Sequence, residues 1–291
     1  MSAKFGPAGN SDSFSRVHKT SLAAPRWIAG FGLDCYEYQC GKGVHVGEAT
    51  ARKVGEAAAA HGITLSLHAP YFINLANPDP EALQKTTGYI TGACLVAGWM
   101  GAERVVIHSG ALMKRTRREA LDTALRSLRE VMAACDGAGF GSIVLCPETM
   151  GKINQLGDLD EVLELCTLDQ RLIPCVDFGH LYARSLGADD GAEAMERMLD
   201  RMEEVLGRDR ASRFHSHFSH IEFTPNGGEK CHRTFAGDGG YGPDWAPLAA
   251  AVARRGWSPT FICESAGTQA EDALLMKKIY REFEGQGGSL C

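Results

Sequence analysis

The regular alternation of strand and helix signals is the feature that most constrains the fold of this chain. Short runs rich in apolar and β-branched residues recur, and each is followed by a longer segment with the 3.6-residue periodicity of a helix. We predict strands at residues 4–7, 35–39, 64–68, 104–108, 142–148, 172–177, 214–219 and 259–264. Eight successive βα units predict a parallel sheet closed into a (β/α)8 TIM barrel.

The segments between these strands predict the helices. We place them at residues 21–30, 47–60, 80–99, 115–138, 159–166, 192–206, 244–254 and 268–284. A doubly wound open sheet would alternate in the same way, but the first βα turn reads FGPAGN where such a fold carries GxGxxG, and GxxxxGK[ST] does not occur. We therefore predict a single barrel domain over residues 1–291, with a flexible C-terminal tail from about residue 285.

The charge and hydropathy pattern excludes several classes of protein. The net charge of −6 argues against broad electrostatic binding to nucleic acid or to an anionic membrane. No apolar run approaches the roughly 20 residues of a membrane span, and the N-terminal segment lacks the apolar core of a secretory signal. The cysteines are scattered singly without a CxxC pair, which disfavours a structural zinc ribbon. We expect a cytoplasmic protein with no membrane partner.

Side chains of the types that bind metals lie at, or just beyond, the C-terminal ends of most of the predicted strands. They are His68, His108, Glu148, Asp177, His180, His217, His232 and Glu264. In a barrel these strand ends converge on one face, where barrel enzymes carry their active sites. Mixed imidazole and carboxylate ligands suit zinc first, with manganese or iron as alternatives. The pattern predicts a metal centre at this face.

Each of these residues also has a structural interpretation. A single histidine or glutamate at a strand end is more often a helix cap or a hydrogen-bonded polar group than a ligand. Eight such residues on one face are not independent accidents, and burying that many ionisable groups without a cation would be costly. The metal centre is therefore the favoured interpretation.

Several of these motifs together resemble the endonuclease IV family, over residues 4–284. The segments are HAPYFINLANPDPE, VVIHSGA, PETMGKINQLGDLDEVLELC, CVDFGHLYAR, HFS with a later histidine, and CES. This family contains metal-dependent enzymes that cleave DNA 5′ to abasic sites, and it belongs to the wider xylose isomerase-like barrel superfamily. The HFS segment, in place of the more usual HLND, is typical of a divergent branch. The resemblance implies a phosphodiester hydrolase of DNA repair.

The resemblance also implies a centre of two or three divalent ions. His68 and His108 match ligands of the first ion, and Glu148 matches the carboxylate that bridges to the second. The resemblance implies that Glu148 is the catalytic residue. The remaining ligands of the second ion are matched by Asp177, His217 and Glu264.

The third ion site departs from the family pattern. His180 and His232 match two of its ligands, but Lys230 stands where the family has an aspartate. A protonated lysine cannot act as a ligand, and its charge opposes a neighbouring cation. Glu229 or Glu222 could replace the aspartate, or Lys230 could replace the charge of the ion. We expect the first two ions to bind more reliably than the third.

The resemblance implies DNA contacts as well. Tyr71 and Phe72 match the positions at which the family inserts side chains into a bent duplex, and Lys230 would add a positive charge nearby. The alternative for the aromatic pair is simple packing beneath a loop. A basic cluster follows the fourth strand, and it could meet phosphates or form an ordinary solvated face: Lys114, Arg115, Arg117 and Arg118.

Three hypotheses of function therefore remain open. The first is a phosphodiesterase that acts on DNA with abasic sites. The second is a sugar or sugar-phosphate isomerase or epimerase of the same superfamily, which needs fewer metals and a small sugar substrate. The third is a catalytically weakened metal-binding or DNA-binding protein, which the lysine at position 230 makes plausible.

Overall fold

The structure, a computed structural model, describes residues 2–236 and 240–287. Over these residues the chain forms a (β/α)8 TIM barrel, as predicted. The barrel strands in the described chain are β1 (Lys4–Pro7), β2 (Cys35–Gln39), β3 (Thr64–His68), β4 (Arg104–His108), β5 (Val144–Glu148), β6 (Cys175–Asp177), β7 (His215–Phe218) and β10 (Thr260–Cys263). Each strand is parallel to the strands beside it, and the order around the sheet is β1, β10, β7, β6, β5, β4, β3 and β2.

The two ends of this sheet meet at β1 and β2. The Asp34 amide donates a hydrogen bond to the Phe5 carbonyl at 2.8 Å, and the Gly9 amide donates to the Glu37 carbonyl at 2.9 Å. The backbones approach so closely here that a Cβ on Gly6 would lie 1.8 Å from the Cys35 carbonyl oxygen. Only glycine fits at this position, so the sequence of β1 is suited to closing the barrel.

Helices cover the outside of the barrel and bury their apolar faces against the strands. Their bounds are α1 (Asp12–Val17), α2 (Ala24–Gly30), α3 (Glu48–Ala60), α4 (Pro80–Met100), α5 (Arg117–Gly137), α6 (Leu159–Cys166), α7 (Phe178–Arg184), α8 (Gly191–Leu206), α9 (Arg208–Ala211), α10 (Trp245–Arg255) and α11 (Gln269–Gly287), with a 3-10 turn at Ser21–Ala23.

Local sequence signals explain where these helices begin. Thr116 and Glu119 form a reciprocal capping box at the start of α5, and Asp158 with Glu161 does the same for α6. Each box satisfies backbone amides that have no partner within the helix. No helix in the described part of the chain is both long and apolar enough to cross a membrane.

The structure differs from the sequence prediction in a few places. Strand β6 starts at Cys175, three residues later than predicted, because Pro174 has no N–H to donate to a neighbouring strand. The prediction missed α1, α7 and α9 and a β-hairpin after β7, formed by β8 (His220–Thr224) and β9 (Gly228–Arg233). Of the predicted C-terminal tail, residues 285–287 continue α11 and residues 288–291 lie outside the described residues.

Candidate metal centre

Six of the eight predicted ligand side chains line a cavity at the C-terminal mouth of the barrel. The other two, Asp177 and His217, are fully buried beside them. The cavity has a volume of about 360 Å³ and is lined by side chains from several strand ends and the loops beyond them. His68, His108 and Glu148 are the last residues of β3, β4 and β5, and Asp177 ends β6. Parallel strands place these ends together although the residues are far apart in sequence.

Glu148 lies at the centre of this arrangement and is 1% exposed. Its Oε2 atom lies 3.2 Å from His68 Nε2 and 3.3 Å from His108 Nε2. Its Oε1 atom lies 2.9 Å from His217 Nδ1. The two oxygens of this carboxylate thus face different imidazoles, as those of a carboxylate that bridged two ions would. The ligand atoms of His68, Glu148 and His217 lie within 4.8 Å of one another and form the first donor set.

A second donor set adjoins the first. The ligand atoms of Glu148, Asp177, His217 and Glu264 all lie within 4.8 Å of one another. Asp177 has a divided role, because its Oδ1 accepts the His180 amide at the start of α7 at 2.8 Å, whereas its Oδ2 is buried without a hydrogen-bond partner. A buried carboxylate oxygen with no donor is costly, and a cation at this position would satisfy it.

The third donor set contains Glu229, one of the two residues that could replace the family aspartate. The ligand atoms of His180, Glu229 and His232 lie within 4.8 Å of one another. Strand β9 contains a bulge, because Phe223 of β8 pairs with Glu229 and Glu222 pairs with Cys231. Lys230 is the extra residue of this bulge.

The bulge and a nearby glycine bring Glu229 into the site. A Cβ on Gly151 would lie 2.6 Å from the Glu229 Cβ and 2.9 Å from His180 Cδ2, so glycine leaves the necessary space. The Lys230 side chain is 54% exposed and forms an ion pair with Glu222 instead. Of the two candidate substitutes for the family aspartate, the structure therefore brings Glu229 to His180 and His232 and engages Glu222 elsewhere.

Backbone carbonyls orient three of the imidazoles. The Nδ1 atoms of His68, His108 and His180 lie 2.7, 2.7 and 2.8 Å from the carbonyl oxygens of Ala69, Tyr71 and Thr149, in that order. A carbonyl can only accept, so Nδ1 must carry the proton in each ring. In the neutral ring this leaves the Nε2 lone pair free as a ligand, the arrangement that metal-binding histidines commonly show.

The buried charges of the site stabilise one another. Burial lowers the pKa of His68, but its hydrogen bond with Glu148 and the charge of that carboxylate raise it to about 9. Burial acts to lower the pKa of His180 as well, but the negative charges of Asp177 and Glu229 outweigh it and raise this pKa to about 9. Burial raises the pKa of Glu148, yet the charge of His217 and hydrogen bonds from the surrounding imidazoles hold it well below its usual range. Glu148 is therefore an anion at neutral pH.

Sequence reasoning missed a buried carboxylate beneath the centre. Glu37 on β2 is 0% exposed, and His217 Nε2 lies 2.9 Å from its Oε1 and His215 Nε2 lies 2.8 Å from its Oε2. Ser66 Oγ donates a further bond to Glu37 at 2.9 Å. Such a carboxylate behind a ligand histidine sets the orientation of the ring. An acidic residue within the strand CYEYQ was the available signal.

The aromatic pair predicted to contact DNA lies at the rim of the cavity. Tyr71 lines the cavity and is 55% exposed, and Phe72 is 40% exposed. Their rings meet edge to face with centroids 5.7 Å apart, and Phe72 also packs on Tyr89 at 4.7 Å. Phe72 is thus braced by an aromatic neighbour, while much of Tyr71 faces solvent.

The basic cluster after β4 is less available to bind phosphate groups than its sequence suggests. Arg117 forms an ion pair with Glu161 at 2.5 Å, and Arg118 pairs with Glu164 at 2.9 Å and with Asp122. The pairs with Glu161 and Glu164 link α5 to α6, whereas the pair with Asp122 lies within α5. Together these contacts neutralise two of the four charges. The structure thus favours a structural role for both arginines.

Glu229→Gln is expected to remove one divalent ion per chain, whereas Lys230→Gln should leave the metal content unchanged. The amide would be a weaker ligand between His180 and His232, and Lys230 points away from them. Metal analysis of the purified variants by mass spectrometry after dialysis against trace zinc measures both. Equal zinc content in Glu229→Gln and the unaltered protein would contradict the assignment.

The sequence profile described as a xylose isomerase-like TIM barrel matches residues 25–279. An uncharacterized protein of Methanocaldococcus jannaschii is 31% identical over 251 residues, covering 86% of this chain and 88% of that protein. A probable endonuclease 4 of Mycoplasma pneumoniae is 31% identical over 135 residues, covering 45% of this chain and 46% of that protein. The chain thus matches about half the length of the latter.

Solved structures with the same fold include a D-tagatose 3-epimerase-like protein, with a TM-score of 0.72, 18% identity and coverage of 98% of both chains. They also include endonuclease IV from Thermus thermophilus, with a TM-score of 0.66, 18% identity and coverage of 97% of this chain and 99% of the other. Identities this low show the fold alone. The matching sequence profile and the sequence matches to proteins named as probable endonuclease 4 confirm the resemblance inferred from the motifs.

Proposed function

Because this chain belongs to the xylose isomerase-like TIM barrel family, we propose that it is a metal-dependent phosphodiesterase that cleaves DNA 5′ to abasic sites. One observation carries the proposal: three adjoining donor sets surround the mouth, and the first two share Glu148 and His217. The similarity to proteins named as probable endonuclease 4 supports it.

The residues present fit divalent ions. His68, Glu148 and His217 form one donor set, and the other two contain Asp177 with Glu264 and Glu229 with His232. Nitrogen and oxygen donors in this mixture suit zinc, with manganese or iron as alternatives. Ions bound there would supply positive charge that acidifies a water molecule and stabilises the phosphate oxygens during hydrolysis.

The side chains of the protein contribute position and charge. Glu148 remains ionised, since its pKa lies well below the usual range, and it holds the first two donor sets at a fixed separation. Glu37 accepts from His217 Nε2 at 2.9 Å and so keeps Nδ1 of that ring directed at Glu148. Tyr71 and Phe72 offer exposed rings on which nucleobases exposed beside a lesion can stack.

The direct test is cleavage of a synthetic duplex that contains one abasic analogue. Protein supplied with zinc or manganese should cut the strand on the 5′ side of the lesion and leave an undamaged duplex intact. Chelation should stop the reaction and zinc should restore it. Failure to cut, with all donor sets filled, would exclude the proposal.

A second candidate is a sugar or sugar-phosphate epimerase. The observation that favours it is the mouth cavity, since about 360 Å³ is a volume suited to a small ligand. The third donor set favours the nuclease, because epimerisation next to a carbonyl needs fewer ions. Interconversion of a ketose and its epimer, without cleavage of abasic duplex, would establish the epimerase instead.

Tyr71→Ala is expected to weaken binding of abasic duplex by roughly ten- to hundredfold, because stacking on one base contributes about 1–3 kcal/mol. Fluorescence anisotropy with a labelled duplex and calcium in place of zinc measures binding without cleavage. Val17→Ala is the matched control, since Val17 is an exposed apolar residue of α1. Equal affinity of the Tyr71→Ala variant would mean that Tyr71 only packs at the rim.

A further inference from the structure

A second cavity opens at the opposite, N-terminal end of the barrel. It has a volume of about 190 Å³, and its lining includes the first residues of six barrel strands: Lys4, Cys35, Thr64, Arg104, His215 and Thr260. This end of a TIM barrel usually serves stability, because the catalytic loops all leave from the other end. A polar cavity here therefore calls for a physical explanation.

Two cationic side chains of this floor cavity, Arg104 and Lys4, form no ion pairs in the described part of the chain. Arg104 forms no ion pair within 4.0 Å among the described residues, and its Nη1 is buried without a hydrogen-bond partner. Lys4 Nζ donates to the Thr64 hydroxyl at 2.7 Å and has no carboxylate partner in the described chain. A third cation, Arg213, is paired with Asp209 at 2.7 Å, and Glu103 is the one carboxylate among the described residues that line the cavity.

The inner end of the cavity is closed by a second polar group without a partner. His215 is 0% exposed, and its Nδ1 makes no hydrogen bond in the described structure. Its Nε2 lies 2.8 Å from a Glu37 oxygen. Because a carboxylate only accepts, Nε2 carries a proton, and in the neutral ring this leaves Nδ1 as an acceptor.

We propose that this floor cavity binds a small oxyanion that carries a hydroxyl, with inorganic hydrogen phosphate as the simplest member. Its charged oxygens would accept from Arg104 and Lys4, and its O–H group would donate to His215 Nδ1. One ligand would thus satisfy both buried nitrogens that lack partners, each of which is costly when unpaired. The hydroxyls of Thr64 and Thr260 provide further hydrogen bonds.

The floor site is separate from the metal centre. Glu37 lies between them, since it accepts from His215 on the floor side and from His217 on the mouth side. Binding of an anion at the floor can therefore be distinguished from binding of phosphate to ions at the mouth.

Isothermal titration calorimetry of the purified protein with inorganic phosphate tests the proposal. We expect saturable binding that weakens about tenfold or more in Arg104→Met, because a charged hydrogen bond to an anion is lost. Lys4→Met should weaken it as well, and this variant decides the outcome if Arg104→Met does not fold by circular dichroism. Arg52→Met, which removes an exposed arginine of α3, should bind as the unaltered protein does.

Two further measurements can contradict the proposal. Sulfate, which carries no hydroxyl at neutral pH, should bind at least several-fold more weakly than phosphate. Equal affinity for both anions would overturn the proposal, as would the absence of phosphate binding. Binding that survives Arg104→Met and Lys4→Met but disappears in His108→Gln would place the anion at the mouth and would also overturn it.

Discussion

Glu148→Gln is expected to abolish cleavage of abasic duplex, with a loss of about 10²–10⁴-fold or more in rate, while the barrel remains folded. Glu148 is the carboxylate shared by the first two donor sets, and its oxygens face His68 and His108 on one side and His217 on the other. An amide has one weak ligand oxygen and no charge, so it cannot hold two ions at a short separation. Single-turnover cleavage at saturating protein measures the loss.

Two controls accompany this measurement. Glu130→Gln changes an exposed carboxylate of α5 in the same way and should keep full activity. Circular dichroism and thermal unfolding check that Glu148→Gln is folded. Retention of more than about a tenth of the unaltered rate would contradict the assignment of Glu148 as the bridging carboxylate. Loss of epimerase activity in the same variant, with no nuclease activity in the unaltered protein, would favour the sugar hypothesis.

Glu37→Gln is expected to weaken zinc binding by about 10–100-fold, the usual effect of losing a carboxylate behind a ligand histidine. Glu37 accepts from both His215 and His217, but a glutamine can accept from one ring and must donate to the other. If the amide NH₂ faces His217, it favours the tautomer whose proton lies on Nδ1, the atom directed at Glu148. Competition with a fluorescent zinc chelator measures the change.

The control for this variant is Glu56→Gln, which neutralises an exposed residue of α3. Its zinc affinity should equal that of the unaltered protein. Stability is measured in parallel, because breaking a buried charge pair costs on the order of 3–5 kcal/mol. Unchanged zinc affinity in a folded Glu37→Gln protein would show that His217 keeps its orientation without Glu37.

Much of the barrel could be predicted because its signals are local. A short β-branched run such as RVVIH between two helical segments favours a strand, and the capping boxes at Thr116 and Asp158 mark helix starts within a few residues. The hairpin after β7 could also have been predicted from the sequence, since TPNGG is a turn signal between two short strands. It was missed because the second of these strands, GEKCHR, lacks the alternation of apolar and polar residues.

The sequence by itself determined the strand ends, and with them which histidines and carboxylates meet at the mouth, because parallel strands of one barrel must end on the same face. It could not decide between Glu222 and Glu229, since a bulge that carries Lys230 outward depends on the pairing of β8 with β9. It also could not place His215 and Glu37 in contact, as they are 178 residues apart and lie on different strands. Tertiary structure decided these points, because contacts across a barrel depend on strand order and register, which no local pattern encodes.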